Sequence, residues 1–155
     1  MAMSRSRTAT AVDVPTSRAT LPVAVTALID FVAVTVFVLI GRSSHEEGFA
    51  LIGVLQTLWP FVVGAAAGWS IAYVFAHVRA SDFFASEFRP EQVASAGVII
   101  WFCTVVVAMI LRYLMHQGVA TSFVIVATVV LGAFLIGWRA VAAGIARRRT
   151  ALRAA

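Results

Sequence analysis

The 155-residue sequence predicts an all-α polytopic membrane protein, a bundle of four transmembrane helices with both termini in the cytoplasm. Three observations carry that expectation. First, 61% of the residues are hydrophobic and 12% charged, where soluble domains average about 45–50% and 25%. Second, four apolar runs each supply the roughly 20 residues that a hydrocarbon core about 30 Å thick demands. Third, the twelve basic residues are all arginine, always protonated, and ten of them fall on one side of a four-span arrangement.

Residues 1–20 are rich in Ser, Thr, Ala and Arg without apolar periodicity, and are expected to form a disordered cytoplasmic tail. The first helix is expected over about 21–41, with Pro22 in its first turn. Its run is too long for a leader-peptide core and contains Asp30, so it is read as a retained span. The second helix, about 49–77, is longer than a bilayer requires and should tilt or kink at Pro60. Within it "GAAAG" spaces Gly64 and Gly68 one turn apart, a face that lets another helix approach closely.

The third helix is expected over about 94–115, after "RPEQ", where Pro90 and Glu91 suit a first turn. The fourth, about 119–140, carries Gly132 and Gly137 as further close-packing positions. Together the four helices make a transmembrane domain over 21–140, followed by an arginine-rich cytoplasmic tail over 141–155. The connections "RSSHEE" and "HQG" are short, so the helices they join should be antiparallel neighbours. The longer middle connection alternates Phe83, Phe84 and Phe88 with charges, as a short amphipathic helix on the membrane surface would. Arg42 and Arg112 alone fall on the opposite side, which orients the chain with both ends inside. The expected location is the cytoplasmic (inner or cell) membrane.

An ionised carboxylate in hydrocarbon must be paired, neutralised or turned to a polar cavity. Asp30, roughly 13 Å from the inner end of its helix at 1.5 Å per residue, is therefore either a proton-exchanging site or a helix-pairing group. Arg139 at the inner edge of the fourth helix is its natural partner. At the outer end Arg42, His45, Glu46, Arg112 and His116 could share one mouth. Two arginines there suit a phosphate or carboxylate. The two histidines and the glutamate suit a divalent metal less well, because "HEE" lacks a second histidine one helical turn on. A solvated turn flanked by arginines is the plainer alternative.

Gln56 and Thr57, one turn before Pro60, either satisfy carbonyls that the proline frees or line a cavity beside Asp30, as Trp101 also could. Trp138, beside Arg139, suits an interfacial anchor. Cys103, the sole cysteine, permits no intrachain disulfide or cysteine-cluster metal site. No Walker or dinucleotide glycine pattern occurs, no catalytic motif is found, and no cofactor or metal is expected.

Asp30, "IGRSSH", "WPF", "MILRYL", "SFVIVATVVLG" and "GWR" together resemble a DUF3054-like family, four-helix integral membrane proteins of actinobacteria and haloarchaea catalogued as a domain of unknown function. The resemblance covers about Leu21 to Arg139. It implies that Asp30, Arg42, His45, Arg112, Trp138 and Arg139 belong to the family's pattern, and it implies no activity.

Three functions fit these residues. A small proton-linked carrier of an anionic or small solute would exchange protons at Asp30 and meet the solute at Arg42 and Arg112. A non-catalytic structural or assembly subunit would use the glycine face and Asp30 to bind helices of a larger membrane complex or a second copy. A lipid-headgroup enzyme would need His45 or Glu46. The carrier ranks first and an enzyme last. The bilayer itself is an expected partner, with anionic lipid at the arginine-rich tail, and nucleic acid is not expected.

Overall fold

The computed structural model describes residues 21–43, 50–79 and 88–154. These form α1 (Val23–Ser43), α2 (Leu51–Arg79), α3 (Val98–Leu114) preceded by a π turn over Val93–Gly97, and α4 (Thr121–Ala154). All four helices are long and apolar enough to cross a membrane, α3 together with its π turn, and no strand occurs among the described residues. The expectations for the amino tail and for Phe83 and Phe84 lie outside the described residues.

Local chemistry accounts for the boundaries. The carbonyl of Pro22 accepts the amides of Val25 and Thr26, closing the first turn of α1. At the start of α3 the amide of Gly97 reaches back to the carbonyl of Gln92 at 2.8 Å, one residue farther than an α-turn would. α3 ends where His116 (φ 55°) and Gly118 (φ 76°) adopt left-handed conformations, which turns the chain into α4. α4 departs most from the sequence expectation. Its apolar run fades near Ala140, but the helix continues to Ala154. The stretch beyond is mostly Ala and Arg, both strong helix formers, so the end of hydrophobicity is not the end of the helix.

The helices close in chain order: α1 packs on α2 and α4, and α3 on α2 and α4. The tightest pair is α2 with α3, and two glycines explain it. A Cβ on Gly64 would fall 2.9 Å from the Cα of Thr104, and one on Gly68 would fall 2.7 Å from the Cα of Ile100. Backbone therefore lies where side chains would otherwise be, and the expected role of both glycines is met between α2 and α3. Gly132 does the same for α4 by admitting the indole of Trp101, whose Nε1 donates to the carbonyl of Thr128 at 3.0 Å. Gly137, expected to pack closely, has nothing within 4 Å of its Cβ position.

All four helices contribute to the main core, with Val34, Phe37 and Val38 meeting Leu58, Phe61, Val105, Ala108, Leu131 and Leu135. The rings of Phe37 and Phe61 meet edge to face at 5.2 Å, an arrangement their quadrupoles favour. The outside is apolar too. Only 22–39% of each helix's most hydrophobic window is buried, and Leu28, Phe31, Ile52, Val74, Phe102 and Val129 all point outward.

Gly68→Leu should therefore separate α2 from α3 and destabilise the bundle by about 1–3 kcal/mol through overpacking. Gly137→Ala should leave stability within about 1 kcal/mol of wild type or raise it. Thermal unfolding of both variants in mild detergent tests this; equal melting temperatures for Gly68→Leu and wild type would contradict the close approach.

Candidate functional site

Asp30 faces the bundle interior from α1, where it is 2% exposed, and Arg139 reaches it from α4 with no exposure at all. The two form a parallel two-bond pair: Nη1 donates to Oδ1 at 2.8 Å and Nη2 to Oδ2 at 2.7 Å. Two indoles complete the carboxylate. Trp69 Nε1 of α2 donates to Oδ2, and Trp138 Nε1 of α4 donates to Oδ1, both at 3.0 Å. Each oxygen thus accepts two N–H groups, and every donor belongs to a different side chain or a different nitrogen.

Arg139 is held with equal completeness. Its Nε donates to the carbonyl of Pro90 at 2.9 Å, and Nη1 also donates to the carbonyl of Leu135 at 2.6 Å. Four of its five N–H donors are therefore used. The guanidinium carbon lies 4.6 Å from the centroid of the Trp138 ring, adding a cation–π contact. Gly97 in the π turn makes room for it, since a Cβ there would lie 2.7 Å from the Arg139 Cδ. One carboxylate and one guanidinium so bind all four helical segments, with α3 held through Pro90 and Gly97 at its approach.

The sequence pointed to Asp30 and Arg139, and the family resemblance to Trp138, but neither assigned the indoles to the carboxylate. Trp138, expected as an interfacial anchor, is instead a ligand of the carboxylate. Trp69, whose type in an apolar helix suggests packing or an interfacial anchor, is likewise a donor to the carboxylate; its place immediately after "GAAAG" on α2 is the available signal. Arg139, expected as the partner of Asp30, meets it as a fully buried side chain.

Of the residues expected to share one mouth, Arg42, Arg112 and His116 are described, and each of the two arginines has a polar partner in the protein. Arg42 donates from Nη1 to Thr57 Oγ1 at 3.0 Å and lies against Gly53, where a Cβ would collide with its guanidinium. Arg112 donates from Nη2 to the carbonyls of Gln117 and Gly118 at 3.1 and 3.3 Å, and its guanidinium stacks 4.6 Å from the Phe123 ring centroid. It caps the α3–α4 turn. His116 is exposed. His45 and Glu46 lie outside the described residues. No group of three or more His, Cys, Asp or Glu among the described residues could hold a metal ion.

The cavity residues also need correction. Gln56 is exposed. Thr57 serves Arg42 and donates to the carbonyl of Gly53 at 3.0 Å, not to the carbonyl that Pro60 leaves free. Trp101 is committed to Thr128. Asp30 instead borders a groove of about 210 Å³ between α1 and α2, walled by Ala27, Phe31, Val62, Ala65 and Trp69.

Removing one partner from a buried ion pair leaves an uncompensated charge, at a cost of about 3–5 kcal/mol. Arg139→Met should therefore unfold the protein well below the wild-type temperature. Combining it with Asp30→Leu should recover much of the loss, because the pair is removed together. Trp69→Phe should cost about 1–3 kcal/mol through the lost bond to a charged acceptor. A thermal double-mutant cycle measures all three, and strict additivity of the Asp30 and Arg139 changes would contradict the pairing.

No curated protein and no solved structure matches the chain. A family model does, over residues 27–142, a span that runs from just before Asp30 to just beyond Arg139. The chain belongs to that family, described as a protein of unknown function, DUF3054.

Proposed function

We propose that the protein is a multi-pass component of the cytoplasmic (inner or cell) membrane with both termini inside, and that it acts as a non-catalytic structural or assembly subunit. The apolar exterior supports the membrane reading, since so many outward Leu, Val, Ile and Phe side chains suit lipid and would be a liability in water. The arginine asymmetry supports the orientation.

One observation favours assembly over transport: the Asp30 carboxylate is fully engaged, with two N–H donors on each oxygen. A carboxylate that carries protons must surrender its donors in each cycle, and here that would undo the join between α1, α2 and α4. An acid so held serves best as a fixed helix contact. The outward apolar faces then remain for a second copy or for helices of a larger complex. The enzyme reading ranks last, because it would need His45 or Glu46 and no catalytic motif accompanies them in the sequence.

Proton-linked transport stays as the second reading on one specific observation, the groove between α1 and α2 that reaches Asp30. Proteoliposomes distinguish the two. The assembly reading expects wild-type protein to move no protons beyond empty liposomes under an imposed gradient, and Asp30→Asn to lose thermal stability and oligomeric size. Solute-dependent proton flux that Asp30→Asn abolishes in an equally stable protein would establish the carrier instead.

Orientation has its own test. In a Cys103→Ala background, a single cysteine at Gln117 should react with an impermeant maleimide added outside intact cells, whereas one at Ala151 should react only after lysis. The reverse pattern would overturn the topology.

A further inference from the structure

The continuation of α4 changes what its arginines can do. On a disordered tail Arg147, Arg148, Arg149 and Arg153 would have no defined depth; on a helix running to Ala154 they do. The Asp30–Arg139 bonds put α1 and α4 in register. From Asp30 to the start of α1 at Val23 is seven residues, roughly 10 Å along the axis. The same distance along α4 from Arg139 ends near Ala146.

The apolar surfaces of both helices reach this level, at Leu21 and Val23 by the start of α1 and at Val141 and Ile145 on α4, and beyond it Leu152 is the one large apolar side chain exposed on the described part of α4. Arg147 follows after Ala146, so three consecutive arginines begin where the continuous apolar run ends. The phosphate layer lies immediately beyond, within the roughly 40–45 Å of a whole bilayer. All four arginines are exposed.

Their angular spread is as informative as their depth. At about 100° per residue, Arg147, Arg148 and Arg149 spread over about 200° of the helix circumference, and Arg153, farther along, falls about 40° beyond Arg149. Arg148 also interrupts the line of Val141, Ile145 and Leu152. A helix that lies flat on a membrane keeps its cations on one face, and this one does not. It stands through the headgroups with guanidinium groups over more than half of its circumference, and a guanidinium fork matches a phosphate.

We propose that Arg147, Arg148 and Arg149 form a collar around α4 at phosphate depth that binds the headgroups of anionic phospholipids in the inner leaflet, with Arg153 beyond the layer contributing little. The inference rests on the membrane-spanning reading above.

The test uses the full-length protein reconstituted in vesicles of mixed phosphatidylglycerol and phosphatidylcholine, extracted into lipid nanodiscs, with the co-extracted lipids counted. Wild type should be enriched in phosphatidylglycerol over the bulk mixture, and raised salt during equilibration should reduce the enrichment. Arg147→Gln, Arg148→Gln and Arg149→Gln combined should abolish it, with phosphatidylglycerol affinity in detergent falling by roughly a hundredfold, about fivefold per arginine. Arg153→Gln should retain most of it. Salt dependence in the wild type keeps the test decisive if the triple variant folds poorly. Equal lipid ratios in wild type and bulk would overturn the proposal, as would a triple variant that keeps its preference. Tight binding of an acidic protein or an oligonucleotide by a chain indifferent to phosphatidylglycerol would do so too. Release of the protein from membranes by alkaline carbonate would instead defeat the spanning reading on which the collar depends.

Discussion

A carboxylate can remain inside an apolar bundle only if each of its oxygens is given back the hydrogen bonds that water supplied, and the fold is organised around that requirement. Asp30 obtains those bonds from three side chains on two other helices. Arg139 then imposes a second demand, because its remaining donors need acceptors. The carbonyls of Pro90 and Leu135 meet it. Two buried charges thereby specify how four helical segments meet, where apolar side chains alone would tolerate many rotations and slips. A buried ion pair adds less to stability than a well-packed apolar pair of the same size, and its attested use is to fix register.

Packing and polarity support one another around that pair. Gly97 is needed beside the Arg139 side chain, and Gly64 and Gly68 let α3 come close to α2. Trp69 follows Gly68 directly, so the turn of α2 that accepts α3 also carries the indole that reaches Asp30. A further contact joins this region to the approach of α3: the ring of Trp69 meets Phe88 edge to face at 5.8 Å. Phe88 in turn meets Tyr73 at 5.4 Å.

The two ends of the bundle treat their arginines differently. Toward the turn between α3 and α4, Arg42 and Arg112 fold back onto neighbouring helices and carbonyls, so their charge finishes the structure. At the opposite end Arg139 is taken fully inside, while the arginines of the last turns of α4 stay exposed. Net charge therefore says little about any one arginine; depth and partners decide whether it packs, caps or faces outward.

The sequence by itself determined the class: four apolar helices of spanning length, short connections within the first and last pairs, and an acid in the first helix that had to be paired, neutralised or turned to a polar cavity. These are properties of composition and of the length a bilayer demands, and they require no knowledge of neighbours. It also marked Gly64 and Gly68, because small residues one turn apart have few uses other than close approach. Only the tertiary structure decided which side chains meet. That Trp69 and Trp138 donate to one carboxylate follows from helix rotation and register, which are set by packing across 39 and 108 residues of sequence. The same reason explains why Gln56, Thr57 and Trp101 were misplaced: proximity to Pro60, or an apolar helix, does not say toward which neighbour a side chain points. The end of α4 was missed because hydropathy reports where the apolar environment stops, whereas Ala and Arg carry a helix past that border.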